Sequence, residues 1–190
     1  MPLLTYARYV TLTGDTASAS ATIEEQIDVA EQEVERFLDR PLAEGLYTDS
    51  LVVYPSGRAY PKAVPLVSVP ATATYEIEDE VTLKSVAAAY DLIVDYPDVG
   101  WDGYAATSGR VALTYTGGWT AQNVPLAVAR AIALITYGLA HPQVSSAPPG
   151  ATSVKVGDVS VSYAGGPPAD PLDEVYPGAS RLLAPYRWRG

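Results

Sequence analysis

The constraint that shapes every reading of this chain is residues 109–140, GRVALTYTGGWTAQNVPLAVARAIALITYGLA. They predict a strand, a sharp turn at Gly117-Gly118-Trp119 and a helix over about 124–140 that is apolar on nearly every side. Between Val124 and Ala140 the sole charged residue is Arg130. Such a helix must be covered on all sides, by lipid or by other protein elements. A span needs roughly 20 apolar residues and rarely tolerates a central Arg, so no membrane crossing is expected. The stretch is therefore read as the hub of a small core, built on Trp119, Pro125, Arg130, Ile132 and Ile135. One chain of this size offers little else to wrap it, so neighbouring subunits are expected to complete the cover.

The composition fits a covered protein. Charged residues make up 18% of the chain, against about 25% in an average domain, which leaves apolar surface to hide. Burial in an assembly and a generous internal core both account for it. The formal net charge is −10, the wrong sign for a protein that grips nucleic acid through clustered Lys and Arg. The absence of cysteine excludes disulfides and thiolate metal sites. A single histidine, His141, cannot build a His-based metal site and reads as a helix cap or surface residue. The N-terminus lacks a basic stretch followed by an apolar run, so no signal peptide is expected. Tyrosine outnumbers phenylalanine 14 to 1, and a ring with a polar tip suits surfaces that meet.

Residues 1–21 read as an irregular lead-in. The first helix is expected at about 22–40, with Thr22 and Glu25 as a capping box and Pro41 as the stop. Ile23, Ile27, Ala30, Val34, Phe37 and Leu38 recur at helical spacing. The opposite face is acidic, read either as a solvated surface or as an acidic wall. Residues 42–108 form a β-rich insertion, with strands expected near Leu46–Tyr54, Val67–Ile77 and Ala88–Asp95 and an extended piece marked by Pro61, Pro65 and Pro70. Arg110–Thr116 alternates Val111, Leu113 and Tyr115 on one face, a half-buried strand.

Asn123 is the expected N-cap of the hub helix and Pro125 lies in its first turn. Residues 153–163 predict a β-hairpin. Val154 and Val156 alternate before Gly157-Asp158, and Val159, Val161 and Tyr163 alternate after it. An isolated two-stranded hairpin is marginal in water, so it is expected to rest on another surface, such as a neighbouring subunit. After the linker 164–171 a short helix is expected at about 178–187, and the C-terminal segment carries the basic cluster Arg181, Arg187 and Arg189 beside Leu182, Leu183, Tyr186 and Trp188. Arg with aromatics is the composition of interface anchors, and the segment is read as a docking tail.

The fold class that follows is α+β. Residues 1–41 and 109–163 form a helical core with its hairpin, 42–108 the insertion, and 164–190 linker and tail. No catalytic constellation emerges. Gly117-Gly118 lacks the lysine of a phosphate loop, and Asp91, Asp95, Asp98 and Asp102 lack calcium-loop spacing. Glu76, Glu78, Asp79 and Glu80 read as a solvated loop rather than paired carboxylates. No enzyme activity, cofactor or metal is expected.

The order of elements carries a resemblance. An acidic helix ends in RFLDRPL, an insertion contains YPKAVPLVSVP and leads into VALTYTGGW, then come NVPLAVARAIALITYGLA, VKVGDVSVSYA and LLAPYRWRG. This order, from about Ile23 to Arg189, resembles the head-to-tail connector (adaptor) proteins of long-tailed double-stranded DNA bacteriophages. The resemblance implies a structural virion protein of the neck, assembled in the host cytoplasm and serving genome packaging and DNA ejection. It implies a homo-oligomeric ring of about twelve subunits, with a portal protein above and a stopper or tail-completion protein below. Genomic DNA would pass without sequence-specific binding, and no membrane is involved. By position it places portal docking on Arg181, Leu182, Leu183, Tyr186, Arg187 and Trp188. The insertion is larger than in the smallest members, which leaves its contacts open. About twelve chains at −10 each would give a strongly acidic lumen, one along which DNA slides rather than sticks. Arg130 then calls for an acidic partner, with the 22–40 helix as its source. The alternatives are another neck or tail component, a stopper or tail terminator, and less favourably an acidic hydrolase.

Overall fold

The computed structural model describes residues 2–54, 58–70, 72–75, 79–85, 92–95, 109–141, 153–156, 159–162, 172, 176 and 178–187. They form an α+β chain that divides into two units, Met1–Arg40 with Thr120–Arg189, and Pro41–Trp119. The sequence reading grouped the strand near 110–116 with the helices; its hydrogen-bond ladders place it in the second unit.

In the first unit, Thr5 and Gly14 bracket a helix inside the segment expected to be irregular. Helix α1 spans Tyr6–Thr13. The Thr5 hydroxyl accepts the Arg8 amide, and Gly14 ends the helix with φ 75°. Only two turns long, it has too few residues for a clear apolar stripe, yet Tyr9 and Leu12 are buried. Helix α2, Ser20–Leu38, starts before the expected capping box, on Ala19 and without a side-chain cap. It ends before Arg40, because Pro41 disfavours helical backbone at the preceding residue and Asp39 turns left-handed at φ 53°. Ile23, Ile27, Ala30, Val34 and Leu38 are buried at helical spacing, as expected, while Phe37 is half-buried.

Helix α3 spans Leu126–Ala140. Pro125, extended at ψ 139°, is its N-cap in place of Asn123. Asn123 instead closes the preceding turn, its Oδ1 accepting the Thr120 amide at 2.7 Å. Nine of the helix's residues are buried, including Ile132 and Ile135. Helices α1, α2 and a short α4, Ala179–Leu183, pack around it. The chain thus wraps most of its own hub, and the expected shortage of cover is corrected. Leu126 is exposed, and Ala127, Arg130, Tyr137, Leu139 and Ala140 are half-buried, as is His141 at the C-cap. Strands β8, Ser153–Val156, and β9, Val159–Ser162, make the expected hairpin, with Val156 opposite Val159 and a two-residue connection.

The described residues of the second unit form an antiparallel sheet of seven strands: β1 Gly45–Val53, β2 Arg58–Ala59, β3 Leu66–Ser68, β4 Thr72–Tyr75, β5 Asp79–Ser85, β6 Leu92–Asp95 and β7 Gly109–Gly117. The pairings run β1–β2–β6–β5–β4–β7 and return from β7 to β1, so six strands close on themselves and β3 adds to the side of β7. Closure pairs both sides of the ring strands and so limits the open edges that invite aggregation. The expected strand over 67–77 is two strands, β3 and β4, separated by a break containing Pro70. The acidic run read as a loop contributes Asp79 and Glu80 to β5. Its polar composition hid it, because a strand's identity is set by its ladder as much as by its residues.

Inward residues of β1 and β7 alternate as predicted: Val111, Leu113 and Tyr115 are buried with Leu51, Ala59 and Ala63. Tyr115 carries a polar tip into this core. Its hydroxyl donates to Asp49 at 2.6 Å and accepts the Ala63 amide at 2.9 Å. Burial, then the bond to Asp49, pushes the phenol above its ordinary range. Removing that hydroxyl leaves the Ala63 N–H without a partner. Tyr115→Phe is expected to cost about 1–3 kcal/mol, measurable as a lowered urea midpoint at unchanged slope.

The Gly-Gly-Trp turn is built on close approach. A Cβ at Gly117 would sit 2.1 Å from the Ala63 carbonyl oxygen, and Gly118 adopts φ 104°. Trp119 then pairs with the start of the unit. Its amide donates to the Leu42 carbonyl at 2.7 Å, and its carbonyl accepts the Glu44 amide at 2.8 Å.

Candidate functional site

The expected docking tail rests on α4 and the 3-10 turn that follows, Ala184–Tyr186. Gly178, at φ 84°, starts the helix, and Ala179 and Leu183 face inward, fully buried. Leu183 is therefore an anchor into the chain's own core and is not presented for docking, a correction to the sequence reading. Arg181 and Arg187 are exposed, and Leu182 and Tyr186 are half-buried. Arg187 lies over the Phe37 ring of α2, 5.4 Å from its centre. Trp188 lies outside the described residues, as do Gly157, Asp158 and Tyr163 of the hairpin. Val154, Val156, Val159 and Val161 sit in the paired strands at the positions expected. Of the hub residues, Ile132 and Ile135 are central to the first unit and Pro125 caps its helix. Trp119 belongs to the second unit, held by its backbone bridge to Ala43.

Sequence reasoning missed a densely hydrogen-bonded polar cluster of the helical unit. Asp15 is buried beyond the end of α1, where its Oδ2 accepts the Tyr9 hydroxyl at 2.9 Å and the Ser18 hydroxyl at 2.7 Å. The same oxygen meets His141 Nε2 at 3.0 Å, and Oδ1 accepts the amides of Ala17 and Ser18. Burial pushes the carboxyl up, but the bonds from His141, Ser18 and Tyr9 outweigh it and hold Asp15 well below the carboxylate range. Burial, and then the bond to Asp15, raises the Tyr9 phenol. The only sequence signal was a Gly-Asp-x-x-Ser turn, common in loops.

This cluster is a clamp, not a catalytic triad. Ser18 and His141 both bind Asp15, so the carboxylate stands where a base would have to stand to activate the hydroxyl. It ties the connection between α1 and α2 to the C-cap of α3. A second clamp holds the N-terminus: Glu31 Oε1 accepts the amides of Leu3 and Leu4 at 2.6 and 3.0 Å. Burial raises the Glu31 pKa against the pull of those two bonds. Among the described residues no group of acids and His is placed to hold a metal ion, and no helix is long and apolar enough to cross a membrane.

Arg130 is the other outlier. The residue is half-buried on α3, and its Nε is buried without a hydrogen-bond partner. The expected acidic partner from α2 is not in place: among the described residues no carboxylate of this chain pairs with Arg130.

The class defined by this architecture is an α+β chain in which a small helical unit carries a closed antiparallel sheet as an insertion. Solved structures of similar fold include chains of GTA particles. The chain is similar, at 17% identity and a TM-score of 0.53, to a chain in the neck of an empty GTA particle, covering 100% of this chain and 90% of that one. It is similar at 13% identity and a TM-score of 0.54 to a chain in the virion of a native gene transfer agent (GTA) particle, with the same coverage. No protein-family model and no curated protein matches the sequence.

Proposed function

We propose that this chain is a structural, non-enzymatic subunit of the neck of a tailed, phage-like particle, and that within the neck it is the head-to-tail adaptor. Copies form a ring of about twelve between the portal protein and a stopper or tail-completion protein, and genomic DNA passes through the lumen. The observation that carries this reading is the likeness of fold across the whole chain to a chain in a GTA neck. The net charge of −10 supports it, since an acidic channel lets DNA slide without capture. The helical unit makes the ring, the hairpin reaches a neighbouring subunit, and the exposed side of the C-terminal segment docks on the portal through Arg181, Leu182, Tyr186, Arg187 and Trp188.

Cutting the chain after Pro171 is expected from sequence alone to spare the fold. Leu172, Ala179 and Leu183 are buried, so such a truncation strips the core as well. Charge reversal of the two exposed arginines is the cleaner test. Arg181→Glu with Arg187→Glu is expected to lower binding to portal rings at least about tenfold, seen by co-sedimentation and electron microscopy. The unfolding midpoint should move by only a few degrees, since both side chains are exposed and a cation–π contact at an exposed site, such as Arg187 over Phe37, contributes only about 0.5–1 kcal/mol. Undiminished portal binding by the double variant would remove the docking role of this segment.

A further inference from the structure

We propose that the guanidinium of half-buried Arg130 is completed by Glu25 of a second copy of this chain, with Leu126 of one copy packed on Val29 of the next. The proposal rests on the ring reading above and specifies its contact. An arginine cannot shed its charge, and a partly desolvated cation without a carboxylate is costly. Arg130 is half-buried, its Nε has no hydrogen-bond partner, and among the described residues no carboxylate pairs with it. Four residues before it on the same face of α3, Leu126 is 50% exposed. An apolar side chain beside an unpaired cation is half of an interface.

The other half lies on the outward face of α2. Val29 is 46% exposed, and four residues before it stands Glu25, also exposed. Glu33, on the other side of Val29, is already paired with Arg36 at 2.7 Å. If Leu126 meets Val29, an antiparallel crossing of the two helices sets Arg130 against Glu25, whereas a parallel one would set it against the occupied Glu33. The free acid selects the antiparallel arrangement. Used once per copy, head to tail, the contact is heterologous, the kind that propagates into a ring. In a chain of net charge −10, few surfaces of two copies can approach without repulsion, and this one pairs a cation with an anion.

The chain has no cysteine, which makes the contact easy to test. Two proteins are prepared, Leu126→Cys and Val29→Cys, mixed, assembled with portal rings and oxidised. The mixture is expected to give disulfide-linked dimers at least about tenfold above either protein alone, because only unlike patches meet. Glu25→Arg in the Val29→Cys protein should lower that yield about tenfold, and adding Arg130→Glu to the Leu126→Cys protein should restore it. Glu25 is exposed, so its reversal spares the fold even where Arg130→Glu alone does not. Rings seen by electron microscopy without mixed dimers would overturn this contact and leave the ring reading standing. Failure to find any ring or higher oligomer, with portal rings present, would overturn both.

Discussion

Replacing Asp15 with alanine is expected to remove about 3–5 kcal/mol from the stability of the helical unit. Five hydrogen bonds converge on this carboxylate, from Tyr9, Ala17, two groups of Ser18 and His141. Alanine leaves the buried Tyr9 hydroxyl without its acceptor and frees the end of α3 from the α1–α2 connection. Loss of helical circular dichroism on heating should begin about 10 °C earlier. Asp15→Asn keeps the shape but not the charge and should fall between. The acid limb gives a second check. The Asp15 pKa is depressed in the folded chain, so its contribution is complete above the unfolded value of about 4 and is lost as pH falls through the folded value. The native chain should therefore weaken progressively below about pH 4, and the asparagine variant should lack that component. An alanine variant as stable as the parent would show that the clamp is ornamental.

Gly117→Ala is expected to be of similar severity, for a steric reason. The added methyl would come within 2.1 Å of the Ala63 carbonyl oxygen and 2.9 Å of its carbon, both backbone atoms that cannot swing away. Overpacking of this kind costs about 3 kcal/mol or more where the obstacle is main chain. The amides of Gly118 and Trp119, which donate to Pro65 and Leu42, should lose their protection in hydrogen exchange. Protection at parental levels would mean that strand β3 and its approach can move aside.

Much of this architecture was legible because burial writes a period into the sequence. The alternation of Val111, Leu113 and Tyr115 and the helical recurrence of Ile23, Ile27, Ala30, Val34 and Leu38 both report the face that leaves water. The hairpin was legible for a different reason, since Gly157-Asp158 is turn chemistry between alternating valines. Helix α1 was not, because two turns carry too little pattern and its signals, Thr5 and Gly14, are ordinary in loops. Strand β5 was hidden by its acids, and closure of the sheet depends on pairings between distant residues such as Val53 and Ala59 or Thr74 and Ala112. The Asp15 clamp joins residues 126 positions apart, a relation no local reading contains. Conversely, the all-round apolar hub overstated the need for neighbours, because α1 and α4, one unread and one read as tail, supply much of its cover.

The pairing of Trp119 with Leu42 and Glu44 has one more consequence. It ties the two ends of the insertion together beside the points where the helical unit lets go of the chain and takes it up again. To the helices, everything from Pro41 to Trp119 is one short span with fixed ends, whatever its contour length. Lengthening a free loop adds closure entropy with each added residue, but a loop zipped at its base has already met that cost within its own hydrogen bonds. The sheet is thus a cassette. Its strands can be lengthened, trimmed or recast by mutation while the helices of the first unit register no change in their own closure.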